Sequence, residues 1–332
     1  MSGELMGAEL EDGGAVRPVV DLHVDTLLRL VEAPAARCAS HAMEWPELHV
    51  DAARGHAGGV TLLLTACFTS DDELEPAAKV DLMLDAADRV SSDPSSGFRR
   101  VLGPSSFAQR LAGEIGLLAT IENARSLEGD LARIGHWRDR GVRIVGVTWN
   151  GRNALAAGVL AEPTGGFTAF GREFLAEVRR LELAIDVSHL APRGVDEVLA
   201  ASPHAVLATH SNAARVCEHP RNLTDAQLRE IAAAGGLVGI NFYPPFLRRG
   251  GADATLEDVA RHALHLAEVV GVEHVALGTD LDGIDVLPSD FAGHQDMPRL
   301  AEVLAGAGFG GAEIDGIFAG NFMAWWRRWS NE

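Results

Sequence analysis

The chain has 332 residues, and 47% of them are hydrophobic, so it can bury the core of a sizeable domain. Its formal net charge is −19 at pH 7, and an acidic surface repels nucleic-acid phosphates and anionic lipid heads, so we expect neither nucleic acid nor a membrane as a partner. The three cysteines are odd in number and unclustered, which argues against a disulfide framework and against a thiolate zinc site.

The chain begins with an acidic, glycine-rich segment at residues 1–17. This segment lacks the basic start and apolar run of a secretory signal, so we predict a disordered tail on a cytoplasmic protein. Residues 18–332 contain no linker, internal repeat or low-complexity block. We therefore predict that they form a single domain.

Short apolar runs alternate with helix-length amphipathic segments through this domain. Eight apolar runs are predicted strands: 18–23, 60–68, 116–121, 142–148, 183–188, 205–209, 237–242 and 274–279. The predicted helical segments between them are 77–90, 127–140, 170–180, 192–201, 224–234 and 256–270. Eight strands that are apolar on both faces predict an α/β fold of the (β/α)8 TIM barrel type.

A doubly wound open sheet is the alternative architecture, but it needs a Gly-rich phosphate loop after its first strand. The sequence has HVDT at that point instead. Two longer irregular stretches, 33–57 and 281–298, are predicted loops over one face of the barrel. A tryptophan cluster near the end, at Trp325, Trp326 and Trp329, is predicted to pack against the barrel wall.

Ionisable residues follow five of the predicted strands at their carboxyl ends. They are His23 and Asp25, Glu122, His189, His210 and Asp280. In a barrel all carboxyl ends open on one face, the barrel mouth, where catalytic residues lie. Left unpaired there, three histidines and three carboxylates would be costly to bury. A bound metal removes that cost, and imidazole together with carboxylate suits Zn²⁺, Mn²⁺ or Fe²⁺.

The number and spacing of these groups favour two metal ions. His23 and Asp25 are two residues apart, so their side chains point to the same side of a strand. The set is too large for one open zinc site, which uses three protein ligands. Glu122 has two oxygens and can bridge ions roughly 3.5–4 Å apart. We therefore predict two divalent ions, with zinc as the expected metal.

Each motif taken alone also has a purely structural interpretation. The H-x-D pattern recurs by chance, His189 and His210 could be hydrogen-bonded interior histidines, and GTDLDG could form a turn. Their convergence at one end of one barrel favours the joint interpretation. The remaining histidines are not predicted ligands, although His219 and His294 are second candidates on mouth loops.

These segments resemble the membrane (renal) dipeptidases of the amidohydrolase superfamily, from about Val19 onward. The segments that carry the resemblance are DLHVDT at 21–26, IENARSL at 121–127, DVSHLAP at 186–192, THSNAARVCEHPRNLTDAQL at 209–228, GLVGINFYPPFL at 236–247 and LGTDLDGI at 277–284. The HS…RN-L-TD segment, followed by the N-F-Y strand, is much more specific than H-x-D alone.

The resemblance implies a metallodipeptidase whose small-molecule peptide substrates include L-Xaa-D-Xaa dipeptides, with a water activated by two metal ions as the nucleophile. Position by position, it implies that His23 and Asp25 bind one ion and that His189 and His210 bind the other. Glu122 would bridge the two ions.

The resemblance also implies roles around the substrate. Arg221 is similar to the residue that pairs with the substrate's terminal carboxylate, for which a planar guanidinium is suited. Asp280 resembles the acid/base that handles the proton of the attacking water. Tyr243 and Asn241 lie in the segment that lines the pocket.

The chain departs from the family pattern at two positions. Animal members carry a substrate-polarising His after the fourth strand, where this chain has Thr148-Trp149-Asn150. The polarising role would then fall on a metal, or on Asn150 or Asn153. The bridging glutamate is followed by Asn rather than by the commoner Gly-Gly, which changes the local loop but not the ligand.

These departures keep two other functions open. One is an amidohydrolase that acts on another amide, a lactone or an N-acyl amino acid. The other is a barrel without turnover that serves as a binding subunit, although the intact ligand set argues against it. A homodimer is the default expectation for the oligomeric state.

Overall fold

Nine parallel strands form one sheet in the computed structural model, which describes residues 16–33, 48–161, 164–201 and 205–330. The strands are β1 (Val19–Val24), β2 (Val60–Phe68), β3 (Phe98–Arg100), β4 (Ile115–Glu122), β5 (Ile144–Gly146), β6 (Ala184–Asp186), β7 (Val206–Ala208), β8 (Leu237–Ile240) and β9 (Val275–Leu277). Pairing of β2 with β4 and of β9 with β1 closes eight of them into a ring. The predicted (β/α)8 barrel is confirmed.

The short strand β3 was not predicted from the sequence. It has three residues, FRR, of which one is buried, so it lacks the apolar run that marks a barrel strand. It pairs with the first residues of β4, from Ile115 to Leu117. On the same edge of β4, the later residues Thr120 and Ile121 pair with β5. Strand β3 therefore extends the sheet at the amino end of the barrel and stays outside the ring.

Helices follow most of the strands, and most of these helices cover the outside of the ring. They are α1 (Thr26–Glu32), α2 (Ala52–Gly58), α3 (Pro76–Ser92), α4 (Pro104–Ala108), α5 (Ala132–Asp139), α6 (Ala169–Arg180), α7 (Pro192–Ala200), α8 (Asp225–Ala233), α9 (Pro244–Leu247), α10 (Leu256–Val270), α11 (Met297–Gly306), α12 (Gly311–Asp315) and α13 (Asn321–Ser330). Within the described ranges, none of these helices has the length and apolar character required to cross a bilayer.

All six predicted helical segments contain a helix, whereas the two predicted loops do not stay irregular throughout. The stretch predicted as a loop over 33–57 ends in α2, and residues 34–47 of it lie outside the described part of the chain. The stretch 281–298 includes a 3₁₀ turn at His294–Asp296 and the start of α11. The predicted tail 1–17 lies almost wholly outside the described residues, and the domain limits stay a prediction.

Successive side chains of a strand point alternately to the outside and the inside of the ring, so the core consists of an outer and an inner cluster. Leu63 of β2 packs with residues that face the helices, whereas its neighbours Leu62 and Leu64 pack inside the ring. The inner cluster also contains Phe322 and Trp326 of α13. Helix α13 therefore closes the amino end of the barrel.

This arrangement corrects the prediction for the tryptophan cluster. Trp325, Trp326 and Trp329 belong to the same cluster as the inward-facing strand residues, not to the outer wall. The Trp326 ring also packs edge-on against Phe107 of α4, with 6.0 Å between the ring centroids. The apolar stripe of α13, together with Phe107 of α4, thus covers the inside of the ring at its amino end.

A β-bulge in β1 redirects the side chains at the mouth. Between Asp21 and Val24, β1 advances three residues while its partner β2 advances two. Leu22 consequently lies in the inner cluster and Val24 in the outer one, which breaks strict alternation. The extra residue turns His23 toward the mouth, as bulges beside functional sites commonly do.

Candidate metal centre

His23 lies at the centre of a group of carboxylates from both ends of the chain. Its Nε2 is 3.4 Å from Asp25 Oδ2 and 3.2 Å from Glu122 Oε2. The same nitrogen is 4.0 Å from Asp280 Oδ1, which arrives from the turn after β9. His23, Asp25 and Glu122 are buried, and the side chain of Asp280 is 14% exposed. One edge of the mouth thus collects three carboxylates around one imidazole.

Glu122 joins this group to two histidines that follow β6 and β7. Its other oxygen, Oε1, is 3.1 Å from His189 Nε2 and 3.9 Å from His210 Nε2. The two histidine nitrogens are 2.9 Å from each other. The carboxylate therefore presents one oxygen to each half of the site, and all six predicted ligand and acid/base residues lie together.

Hydrogen bonds determine which nitrogen of each ring carries the proton. Thr209 Oγ1 donates its only proton to Asp186 Oδ2 at 2.5 Å, so it accepts from His210 Nδ1 at 2.9 Å. His189 Nδ1 donates to Asn150 Oδ1 at 2.9 Å. In both neutral rings Nε2 is therefore the nitrogen with a free lone pair. Two lone pairs that face each other at this distance repel, unless a cation lies between them.

The donor set fits a metal ion in two further respects. Two buried polar atoms, His23 Nε2 and Asp25 Oδ1, have no hydrogen-bond partner. Among the described residues, two groups of three donors have ligand atoms within 4.8 Å of one another, and they share His23. One group adds Glu122 and His210, and the other adds Asp25 and Asp280. Buried, mixed nitrogen and oxygen donors of this kind suit borderline divalent cations.

Burial and crowded charge shift the pKa values of these groups. Burial raises the pKa of Asp280 to about 7, and the charges of Asp25 and Glu122 add to the rise. Burial also lowers the pKa of His189 to about 4. Burial opposes a charge on His23, but Glu122 and Asp25 outweigh it and hold the His23 pKa well above its ordinary value. The carboxylates around His23 therefore favour a positive charge at this point. Without a metal ion, a proton on His23 provides that charge.

The backbone at the mouth adopts conformations that ordinary residues rarely take. His189 has φ = 65° and Asp280 has φ = 66°, both in the left-handed region. Such strained positions concentrate at functional sites. A Cβ on Gly283 would lie 2.1 Å from Asp25 Oδ2 and 2.6 Å from Asp280 Oδ1, so this turn needs glycine for the two carboxylates to approach.

The asparagine that follows the bridging glutamate also has a left-handed backbone, with φ = 67° at Asn123. Asparagine tolerates this conformation better than most residues, which explains how it can stand at a position where the resemblance implies glycine. Its side-chain amide donates to Thr69 O and to Asp71 Oδ1, and its oxygen accepts from Asn153 Nδ2. Asn153 also donates to Val147 O, so its side chain serves the loop structure and does not face a substrate.

Arg221, the predicted carboxylate anchor, lies under the aromatic ring of Phe246 beside His210. It is 4% exposed, its Nη2 donates to His210 O at 3.3 Å, and its Nε has no partner. It forms no ion pair with any residue in the described ranges. Burial lowers its pKa to about 10, which still leaves it charged at neutral pH. A buried, unpaired guanidinium of this kind is suited to bind an anion from outside.

The other predicted substrate contacts have partners inside the protein. Asn150 accepts from His189, and Asn241 donates from Nδ2 to Asp280 Oδ2 at 2.8 Å. Tyr243 is half-buried at the rim, with its ring packed edge-on against Phe246. Asn150 and Asn241 thus orient two residues of the site, and Tyr243 remains at its edge.

Sequence reasoning missed Asp186 and Thr209, which orient His210 from below. The signal available was a charged residue inside the apolar strand LAIDVS, because a buried carboxylate needs several hydrogen bonds. The two second-candidate histidines lie outside the group: His294 bonds to Asp21 Oδ2 at 2.8 Å, and His219 accepts from the backbone N–H of Arg221.

Comparison with known proteins gives a family match over almost the whole chain. A family model described as membrane dipeptidase (peptidase family M19) matches residues 15–331. An uncharacterized protein in the pqqA 5′ region of Klebsiella pneumoniae is 35% identical over 224 residues, which cover 65% of this chain and 80% of that protein. An uncharacterized dipeptidase of Schizosaccharomyces pombe is 32% identical over 227 residues, covering 67% of this chain and 55% of the yeast protein.

Two solved structures share the whole architecture. A metallopeptidase from Rhodobacter sphaeroides, liganded with a phosphinate mimic of the dipeptide L-Ala-D-Ala, has a TM-score of 0.87 at 27% identity, over 94% of this chain and 99% of that chain. The dipeptidase AC, a metallopeptidase of family M19, has a TM-score of 0.86 at 27% identity over the same shares of the two chains.

Proposed function

The chain belongs to the membrane dipeptidase family, peptidase family M19, and from this premise we propose that it hydrolyses dipeptides with a metal-activated water at the barrel mouth. One observation carries the proposal. The unprotonated Nε2 atoms of His189 and His210 lie 2.9 Å apart beside the Glu122 carboxylate, an arrangement that a divalent cation stabilises.

We assign His23 and Asp25 to one ion and His189 and His210 to the other, with Glu122 as the bridge. Zinc is the proposed metal because imidazole and carboxylate ligands in a half-open site suit it. Two divalent ions in this set would supply an activated water and polarise the carbonyl of the scissile bond. The burial of these five residues and the position of Glu122, with one oxygen toward His23 and the other toward His189, support the assignment.

Asp280 is proposed as the acid/base of the reaction. Its Oδ1 faces the metal-binding side, 4.0 Å from His23 Nε2, while Asn241 holds its Oδ2. This orientation allows Asp280 to take the proton of the attacking water and to deliver it to the leaving amine. A carboxyl with a raised pKa can carry that proton between the two steps.

Arg221 is proposed to bind the free carboxylate of the substrate. A guanidinium that has no carboxylate partner within the described residues and an unpartnered Nε gains a charge-assisted hydrogen bond there, and its burial restricts the enzyme to short substrates that end at this point. The Rhodobacter relative was solved with a mimic of L-Ala-D-Ala. We therefore include dipeptides with a C-terminal D-residue among the proposed substrates.

Metal content and turnover together test this proposal. We expect about two zinc equivalents per chain by elemental analysis and turnover of at least some members of an L-Xaa-L-Xaa and L-Xaa-D-Xaa panel. Glu122→Ala removes the bridge and should lose both ions, whereas Asp280→Ala should keep metal and lose about 10²- to 10⁴-fold in kcat. A protein that binds two equivalents and cleaves no dipeptide would contradict the assignment.

Trp149 in place of the family's polarising histidine favours a second candidate function, hydrolysis of an N-acyl amino acid, another amide or a lactone. Arg221→Met separates dipeptides from amides and lactones that lack a carboxylate, whereas an N-acyl amino acid carries the same carboxylate and should respond as a dipeptide does. For dipeptides, kcat/KM should fall by at least about 100-fold, mainly through KM, since the bound carboxylate loses its cation. A substrate without a carboxylate should be affected less than threefold. An equal loss on both substrate classes would show that Arg221 does not act as an anchor.

A cytoplasmic location and a homodimer remain predictions from the sequence. Size-exclusion chromatography with light scattering at micromolar concentration tests the second of them.

A further inference from the structure

Two aromatic residues, Phe68 and Trp149, lie side by side at the mouth, next to the candidate metal ligands. Phe68 is the last residue of β2 and pairs in register with Glu122 of β4. It has the same parity as Leu62 and Leu64, which face the inside of the ring, so its side chain points into the mouth. The Trp149 ring packs edge-on against it at 5.2 Å, and lies 6.3 Å from the His189 ring.

Both rings are only half-buried, unlike the fully packed aromatic residues of the outer core. Trp137 is 2% exposed and Phe174 is 0% exposed, whereas Phe68 and Trp149 are each partly exposed. Asn150, the polar residue next to Trp149, is already engaged, since its Oδ1 accepts from His189 Nδ1. This part of the mouth is therefore an apolar surface, which we call the aromatic pair.

Phe68 lies across the barrel from the carboxylate anchor, and Trp149, which follows β5, packs against Phe68. Arg221 belongs to the connection after β7, and Phe68 is on β2. Counting around the ring from β7, through β6, β5 and β4, β2 is the fourth strand. In a ring of eight strands, the fourth strand lies diametrically opposite. An extended dipeptide spans about 7 Å. With its carboxylate at Arg221 and its scissile carbonyl over Glu122, its N-terminal residue extends toward Phe68 and Trp149.

We propose that Phe68 and Trp149 form the subsite for the side chain of the substrate's N-terminal residue, and that they select apolar side chains. This inference rests on the proposed dipeptidase function. An apolar side chain gains from leaving water against the two rings, whereas a charged one loses hydration without finding a partner. Trp149 stands where the resemblance implies a histidine that polarises the substrate carbonyl. In this chain the side chain at that position would instead contact an apolar side chain of the substrate.

The test compares kcat/KM of the zinc-loaded protein for Leu-Ala, Phe-Ala, Gly-Ala, Asp-Ala and Lys-Ala. We expect Leu-Ala and Phe-Ala to exceed Gly-Ala by about 10-fold or more, and to exceed the two charged substrates further. Trp149→Ala and Phe68→Ala should each lower kcat/KM for Leu-Ala and Phe-Ala by about 10- to 100-fold while changing Gly-Ala less than threefold. Trp149→Arg should raise Asp-Ala relative to Leu-Ala.

Leu74→Ala is the matched control, because Leu74 is an apolar residue on the connection after β2 but is 88% exposed and outside the aromatic pair. Metal content and melting temperature are measured for every variant. The Trp149 ring packs near His189, so Trp149→Ala could lose metal. In that case kcat/KM for Phe-Ala is measured with Phe68→Leu and Trp149→Phe instead.

Equal kcat/KM for all five dipeptides, or an apolar preference that survives in both alanine variants, would overturn the inference and leave the dipeptidase function standing. A zinc-loaded protein that cleaves none of the five nor any other dipeptide would instead sink the proposed function, and this inference with it.

Discussion

The hydroxyl of Thr209 connects a buried carboxylate to a candidate metal ligand. It donates to Asp186 Oδ2 and accepts from His210 Nδ1, which leaves His210 Nε2 free to bind a cation. Such outer contacts commonly contribute 10- to 100-fold to metal affinity. Thr209→Val should therefore weaken zinc binding by about that factor in a competition titration with a chelator, while Thr209→Ser retains most of it.

Thr279 provides the matched control for this prediction. Its hydroxyl donates to the buried carboxylate of Asp21 in the same way, but it has no hydrogen bond to a candidate ligand ring in the described residues. Thr279→Val should leave the zinc affinity within about threefold of the parent. An equal loss in both valine variants would mean that general loosening, rather than orientation of His210, sets the affinity.

At this scale the sequence predicts which ionisable residues meet at the mouth, but not the residues that support them. His189 and His210 could be placed because each directly follows an apolar strand whose end opens on the mouth. The supporting Asp186–Thr209 bond could not, because it depends on how two neighbouring strands are staggered. The bond from His189 Nδ1 to Asn150 Oδ1 could not be predicted for the same reason, and the contact of Asn150 with substrate stays a prediction.

Among the secondary-structure elements, α10 is joined to the mouth connections by one buried histidine, His262. Its Nδ1 accepts from the backbone N–H of Ala213 at 3.2 Å, and its Nε2 donates to Leu247 O at 3.0 Å. The side chain is 0% exposed, and burial lowers its pKa to about 4. The folded state therefore prefers the neutral ring, whereas the unfolded chain protonates near pH 6.5.

This histidine predicts a loss of stability as the pH falls. Its contribution is complete above pH 6.5 and declines as the pH drops toward 4, by up to about 3 kcal/mol in total. His262→Gln should be less stable at pH 7 but should lose about 2 kcal/mol less than the parent between pH 7 and pH 5. Urea denaturation at both pH values measures this. Identical losses in parent and variant would contradict the prediction.

Strands and helices could be predicted where the apolar run or the amphipathic repeat extends over several residues. All eight barrel strands and six of the helices follow from apolar runs and amphipathic periods. The bulge in β1 was not predictable, because VVDLHV reads as a regular strand and only its pairing with β2 reveals the extra residue. The three-residue β3 is also invisible in the sequence, since its one buried side chain leaves no periodic signal.

For the whole molecule, the largest departure from expectation is the closure of the barrel by α13. Its periodicity predicts an amphipathic helix but cannot say which surface it covers. Trp326 is 0% exposed within the inner cluster, so Trp326→Ala should lower the free energy of unfolding by about 3–5 kcal/mol. Denaturant titration checks this value.

The conservative variant Trp326→Phe keeps a ring against Phe107 and should lose less than half as much stability. Because the helix lies at the end of the barrel opposite the mouth, kcat of the metal-loaded Trp326→Ala protein below its melting temperature should stay within about twofold of the parent. A large fall in kcat without loss of stability would mean that the two ends of the barrel are coupled.

The closure of the amino end of the barrel by α13 has a consequence for biosynthesis. Every strand leaves the ribosome before the helix that covers their inner side chains, because α13 follows β9 in the chain. Until Asn321–Ser330 emerge, the apolar inner side chains of the strands lack the cover that α13 provides. We expect chaperones that recognise hydrophobic surface to hold the chain through this interval, and ribosome-stalled chains that stop before Asn321 to remain bound to them.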